Sequence, residues 1–169
     1  LMSLLVSITF SEETNRQIIR IINKLRRSSR KGWFNKIDNL RLNLLTIYDA
    51  DDLRIIESAI NKIQAEPFDI TFHSIDRSRR DGGDIYWLYA KPHPSLQGLY
   101  DNIQALADEY EYDYDKTEFK SRLQLGEMII ARPKFTVEEF SAHVDNITLF
   151  EHTKRGIKSF YKEIYSRKL

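Results

Sequence analysis

Arg41-Leu42-Asn43-Leu44, carried within Asn39-Leu40-Arg41-Leu42-Asn43-Leu44-Leu45-Thr46-Ile47-Tyr48, alternates polar with apolar residues and so predicts a β-strand. Successive side chains of a strand point to opposite faces, which puts Arg41 and Asn43 on one face and Leu42 and Leu44 on the other. The same order of residue types returns at Arg122-Leu123-Gln124-Leu125. Each copy reads arginine, leucine, side-chain amide, leucine. Two polar pairs built this way can converge on one groove. Periodicity alone equally allows two half-exposed strands whose arginines simply face water.

Working outward, Leu4 to Phe10 predicts a strand that passes through Ser11-Glu12-Glu13, an N-cap with first-turn acids, into a helix over Thr14 to Arg27. Ile18, Ile19, Ile21, Ile22 and Leu25 recur at helical spacing and mark its buried face. Ser28 to Lys36 reads as a basic, polar link. Beyond the first motif strand, Asp49 and Asp51 can cap a second helix carrying Leu53, Ile56, Ile60 and Ile63, and Pro67 separates it from a strand at Phe68 to Ile75. Asp76 to Gly83 has the residues of a hairpin loop with Arg77, Arg79 and Arg80 on its approach, and Ile85 to Ala90 returns as a strand. A helix follows from about Ser95 to Glu109, then an acidic, tyrosine-rich link from Tyr110 to Asp115 and the second motif strand, Phe119 to Leu125. The remainder predicts a short helical stretch near Val137 to Phe140, a strand at Val144 to Phe150, a basic turn at His152 to Lys158 and a last strand at Phe160 to Tyr165. No linker divides the chain, so residues 1–169 are expected to form one α+β domain with mostly antiparallel sheet.

Composition narrows the function. Lys and Arg number 26 against 25 Asp and Glu, a formal net charge of +1, so no global basic field draws the chain to extended nucleic acid. With no cysteine, disulfides, thiolate nucleophiles and cysteine metal sites are excluded together, and a reducing, cytoplasmic setting is expected. No apolar run approaches the roughly 20 residues of a membrane span, and the opening Leu1 to Ile8 lacks the basic start of a secretory signal. Leu1, which precedes Met2, takes no part in the functional argument. No serine triad, phosphate-binding loop or zinc pattern is present, so neither metal nor cofactor is expected.

Asn39-Leu40-Arg41-Leu42-Asn43-Leu44-Leu45 and Phe119-Lys120-Ser121-Arg122-Leu123-Gln124-Leu125-Gly126 resemble the two motif strands of the 2H phosphoesterase superfamily, in particular its LigT-like, 2′-5′ RNA ligase-like members. Arg79 to Leu88, Leu96-Gln97-Gly98-Leu99-Tyr100, and Leu149 to His152 with Tyr161 to Tyr165 are similar to further phrases of that family. The resemblance implies a two-lobed α+β fold with pseudo-twofold symmetry and mostly antiparallel sheets around a central groove, to which each lobe contributes one motif strand. In the family each motif carries a histidine and a threonine. The histidines act as general base and acid on a cyclic or 2′-5′ phosphodiester, and no metal is required. Here Arg41 and Arg122 stand at the histidine positions, Asn43 and Gln124 at the threonine positions.

Arginine cannot give up its proton near neutral pH, so this replacement is expected to abolish the family reaction. His73, His93, His143 and His152 lie in none of the motif contexts and read as surface or hydrogen-bonded structure. Arginine does hold phosphate oxygens through its planar fork of donors, and arginine plus amide appears at both sites. The expected function is therefore an inactive homologue that binds and sequesters a phosphate-containing nucleotide, by analogy with the superfamily a cyclic-oligonucleotide or ADP-ribose-type immune signal held by an anti-defence sponge. The candidate ligand-binding residues are Arg41, Asn43, Arg122, Gln124, Lys120, Arg79 and Arg80, with Trp33 and Phe34 either stacking on a base or packing in the core. Two other readings stay open: a cyclic or 2′-5′ phosphodiesterase with a non-histidine proton carrier such as Tyr48 or Glu127, and an RNA- or protein-interaction module.

Overall fold

The computed structural model describes residues 3–169, so Leu1 and Met2 lie outside it. The chain begins with β1 (Ser3–Ile8), whose run of apolar residues is buried on both faces. Ser11 then caps α1 (Glu12–Arg27) by accepting from the Thr14 amide, and the helix buries Ile18, Ile21, Ile22 and Leu25. After β2 (Ser29–Phe34) and a short 3₁₀ turn at Ile37–Asn39 comes β3 (Leu42–Tyr48), which holds the first motif. Asp52, one residue beyond the expected caps, opens α2 (Leu53–Asn61). The chain then forms β4 (Phe68–Ser78), β5 (Asp84–Ala90), α3 (Pro94–Glu109), β6 (Asp113–Tyr114), β7 (Arg122–Ala131), β8 (Phe140–Val144), β9 (Asn146–Arg155) and β10 (Lys158–Lys168).

These strands make two five-stranded sheets, ordered β10-β9-β1-β3-β6 and β2-β7-β5-β4-β8. Every pairing within them is antiparallel. This is the expected α+β architecture. Each motif strand belongs to a different sheet, and β3 and β7 approach one another where the sheets meet. Leu42 and Leu44 on one strand and Leu123 and Leu125 on the other are all buried, so the leucines of both motifs anchor the strands and leave the arginine faces turned away from the core.

The alternation in β3 is interrupted once. Val6 pairs with Leu45 and Ser7 with Asn43, so Leu44 is an extra residue in the ladder, and Leu44 and Leu45 are buried side by side. Four expected elements need correction. Ser28 to Lys36 is no link: Ser29–Phe34 forms β2, an edge strand on β7 whose pairing is broken by two register shifts, so no sequence alternation announces it. The stretch near Val137 to Phe140 is not helical, and Phe140 begins β8 along β4; four residues are too few to nucleate a helix even with Glu138 and Glu139 among them. The basic turn at His152 to Lys158 contracts to Gly156-Ile157, because β9 and β10 continue as a long, exposed two-stranded ribbon whose polarity mimics a loop. The link from Tyr110 to Asp115 contains β6, a two-residue pairing with β3.

Candidate functional site

A cavity of about 510 Å³ opens between the two sheets and is lined by residues of both motifs: Arg41 and Asn43 from one, Arg122 and Gln124 from the other. Arg41 immediately precedes β3, and Arg122 is the first residue of β7. Neither arginine is held by a carboxylate within ion-pairing distance among the described residues. Each lies instead on aromatic rings. The Arg41 guanidinium carbon is 3.9 Å from the centre of the Tyr161 ring and 4.6 Å from that of Phe150. The Arg122 carbon is 3.7 Å from the Trp87 ring, and its Nη1 donates to the Tyr89 hydroxyl at 3.1 Å. Trp87 is fixed in turn by its indole nitrogen, which donates to Ser78 Oγ at 3.0 Å. Stacking of this kind orients a guanidinium while leaving its edge free to hold an oxyanion.

The two halves of the cavity differ. Arg122 has a hydrogen-bond partner, whereas Arg41 Nη1 is buried without one among the described residues. His152 Nε2, which belongs to the same cavity, is also buried and unpartnered, while its Nδ1 lies 3.3 Å from Ser3 Oγ. His152 stacks on Tyr161 at 4.6 Å, the ring that also supports Arg41. Burial lowers the His152 pKa below its ordinary value, and the charges of Lys154 and Arg41 lower it further. Burial also lowers the Arg41 pKa, against the pull of Tyr161, but a guanidinium remains charged at any physiological pH. An orphaned donor beside a neutral imidazole is costly when empty and well suited to an incoming polar group.

Asn43 is less free. It accepts from Ser7 Oγ at 3.2 Å and donates to Thr46 Oγ1 at 3.1 Å, which fixes the amide on the cavity rim. Across the cavity, Asn35 donates to the Gln124 carbonyl at 2.7 Å and ties the end of β2 to the second motif.

No family model matches this sequence, and no curated protein does. Solved structures do. Escherichia coli LigT complexed with 3′-AMP superposes with a TM-score of 0.79 at 19% identity, covering 99% of this chain and 98% of that one. A crystal structure described as a phosphoesterase gives 0.83 at 18% identity, again covering 99% and 98%. The chain has the LigT fold. LigT has also been solved with ATP and with NADP+, at TM-scores of 0.78 and 0.80 and 18% identity in each case. The α+β fold with antiparallel sheets that the resemblance implied is thus the fold of this LigT-like chain.

Of the residues singled out in the sequence, the LigT-like cavity brings together Arg41, Asn43, Arg122, Gln124 and Lys120. Trp33, Phe34, Arg79 and Arg80 do not line it. Trp33 is 55% exposed on the edge strand β2, Phe34 packs against the core beneath Arg26, and Arg80 lines a separate cleft, because β4 and β5 carry their turn away from the cavity. Glu127 is opposite Trp33 in the ladder and exposed, also outside the cavity. Tyr48 does line the cavity, but burial and the nearby Asp115 and Asp113 raise its pKa, the wrong direction for a base. His93 caps α3 and His143 pairs with Asp69 at 2.7 Å, as structural histidines do.

Sequence reasoning missed Trp87, Tyr89, Phe150, His152 and Tyr161. Their alternation was visible: Trp87 and Tyr89 are two apart on β5, Phe150 and His152 two apart on β9, so each pair shares a face. What was not visible is that these faces meet the two arginines. His152 was also hidden by its assignment to a turn.

Proposed function

We propose that this LigT-like chain binds a phosphate-bearing nucleotide in its central cavity and sequesters it uncleaved. The observation that carries the reading is the pair of arginines, one from each sheet, each stacked on an aromatic ring and neither neutralised by a carboxylate. A phosphate beside each guanidinium supplies the missing countercharge. Two such positions in one cavity suit a ligand with two phosphoryl groups, as in a cyclic oligonucleotide or an ADP-ribose derivative. The nucleotides named with the LigT structures, 3′-AMP, ATP and NADP+, support an adenine nucleotide as the starting class. Neither arginine can act as the acid or base that a phosphodiester cleavage needs.

His152 favours a second reading. It is the histidine lining this cavity, its Nδ1 lies 3.3 Å from Ser3 Oγ and its buried Nε2 has no partner among the described residues, so an active phosphodiesterase built on this chain would draw its proton carrier from here rather than from Tyr48 or Glu127. One experiment separates the two. The purified protein is incubated with cyclic dinucleotides, cyclic oligonucleotides, ADP-ribose derivatives and 2′-5′ oligoadenylates, washed, denatured, and the released molecules are identified by mass spectrometry. An intact nucleotide recovered in stoichiometric amount supports sequestration. Product accumulating beyond one equivalent, and lost in His152→Gln, establishes the enzyme.

A further inference from the structure

A second cleft, of about 870 Å³, shares no lining residue with the central cavity. It lies at the other end of the second sheet, where Arg30 of β2, Arg77 of β4, Arg80 of the β4–β5 turn and Arg132 just beyond β7 come together with one carboxylate, Asp84. Four guanidinium groups and a single acid leave three uncompensated positive charges in one cleft of a chain whose formal net charge is +1. Asp84 is already engaged: its Oδ2 is 3.6 Å from Arg77 Nη1, and its Oδ1 accepts from the Arg80 amide at 3.2 Å. Arg30, Arg80 and Arg132 have no carboxylate within ion-pairing distance among the described residues.

The cleft is held in shape by backbone contacts. A Cβ on Gly83 would lie 2.5 Å from the Met128 carbonyl carbon, so the turn that carries Arg80 is seated directly on the β7 backbone. Lys31 Nζ donates to the Gly82 carbonyl at 3.2 Å from the β2 side, and the Arg132 amide donates to the Ser28 carbonyl at 3.1 Å. The turn and the end of β7 are thereby fixed relative to β2, so the four arginines line one cleft, where an anion would supply the countercharge they lack. All four cations are arginines, whose forks match phosphate oxygens pairwise. No aromatic residue lines the cleft, so it offers no platform on which a base could stack.

We propose that this cleft is a second anion site, distinct from the central cavity, that takes closely spaced phosphates and recognises them without regard to a base: a polyphosphate group rather than a nucleic-acid strand. The test is isothermal titration with inorganic tripolyphosphate at low ionic strength. In an Arg41→Ala/Arg122→Ala background, which disables the central cavity, tripolyphosphate is expected to bind at one site. Adding Arg30→Ala/Arg132→Ala, both at exposed positions, is expected to weaken that binding by at least about tenfold with the melting temperature unchanged. If the background variant does not fold, the same arginine pair is replaced in the native chain, where the loss of one tripolyphosphate equivalent supports the site. Binding unaffected by Arg30→Ala/Arg132→Ala, or none in the native chain, overturns it. A short single-stranded RNA that binds more tightly than tripolyphosphate through these arginines overturns the polyphosphate assignment in favour of a strand.

Discussion

The Arg122 guanidinium carbon sits 3.7 Å over the Trp87 ring, Trp87 is pinned by Ser78, and one guanidinium nitrogen donates to Tyr89, so on the proposed function the side chain enters binding with much of its rotamer freedom already spent. Lysine at this position keeps the charge but has neither the planar stack nor the fork. Arg122→Lys is therefore expected to weaken nucleotide binding by about tenfold and Arg122→Ala by more, both read by titration calorimetry with the ligand recovered from the protein. His152 provides a pH signature. Its folded pKa is held below the ordinary value near 6.5, so the folded state binds fewer protons than the unfolded chain in that range. The stability this contributes is whole above about pH 6.5 and is lost as the pH falls through the depressed folded value. Thermal melts taken downward from about pH 8 should show a loss near and below pH 6 that His152→Gln removes. A bound phosphate opposes that loss, because an anion next to His152 raises its pKa; nucleotide affinity should rise as the pH falls over the same interval.

At the scale of elements, the strands that alternate cleanly or are fully apolar were legible, and the strands that break pattern were not. β1, β5 and the two motif strands announce themselves by periodicity, and α1 and α3 by their apolar faces. β2 and β8 are edge strands of the second sheet, specified by the partner they pair with more than by their own residues. The β9–β10 ribbon extends past the core, and only its basic stretch from His152 to Lys158 reads as a turn, because charge rather than alternation dominates there. The β4–β5 turn shows how closely one element can depend on another. Gly83 has a φ of +150° and a phantom Cβ 2.5 Å from the Met128 backbone, with no flexible side chain there to yield. Gly83→Ala should destabilise the fold by roughly 2 to 4 kcal/mol, measured by urea denaturation, and should perturb the second arginine cleft more than the central cavity. The central floor of β5 behaves as ordinary core: Leu88, fully buried, should cost about 2 to 5 kcal/mol on truncation to alanine in the same measurement.

For the molecule as a whole, near-neutral net charge conceals two concentrations of arginine, one between the sheets and one at the end of the second sheet. On the proposed function, a nucleotide bound in the central cavity supplies the countercharge that Arg41 and Arg122 lack. A nucleotide ligand should raise the melting temperature, and the rise should shrink as salt increases through the range where the screening length falls from about 30 to about 3 Å. Differential scanning fluorimetry across that range tests it; a shift independent of salt would mean that the stacked arginines are not facing the phosphates. Among the described residues no helix is long and apolar enough to cross a membrane.

Local order determined the motif strands, the helices and the facing of each arginine, because side-chain alternation and helical spacing are properties of neighbouring residues. From these and the resemblance they carry, the LigT fold was legible in the sequence. Only the tertiary structure decided what each arginine rests on, for Tyr161 and Phe150 reach Arg41 from β10 and β9, and Trp87 reaches Arg122 across the β5–β7 ladder. It alone drew His152 into the cavity and sent Trp33, Phe34, Arg79 and Arg80 out of it. The physical reason is that a strand fixes the direction of its own side chains, while the surface those side chains meet is set by strand order and sheet packing, to which residues far apart in sequence contribute together.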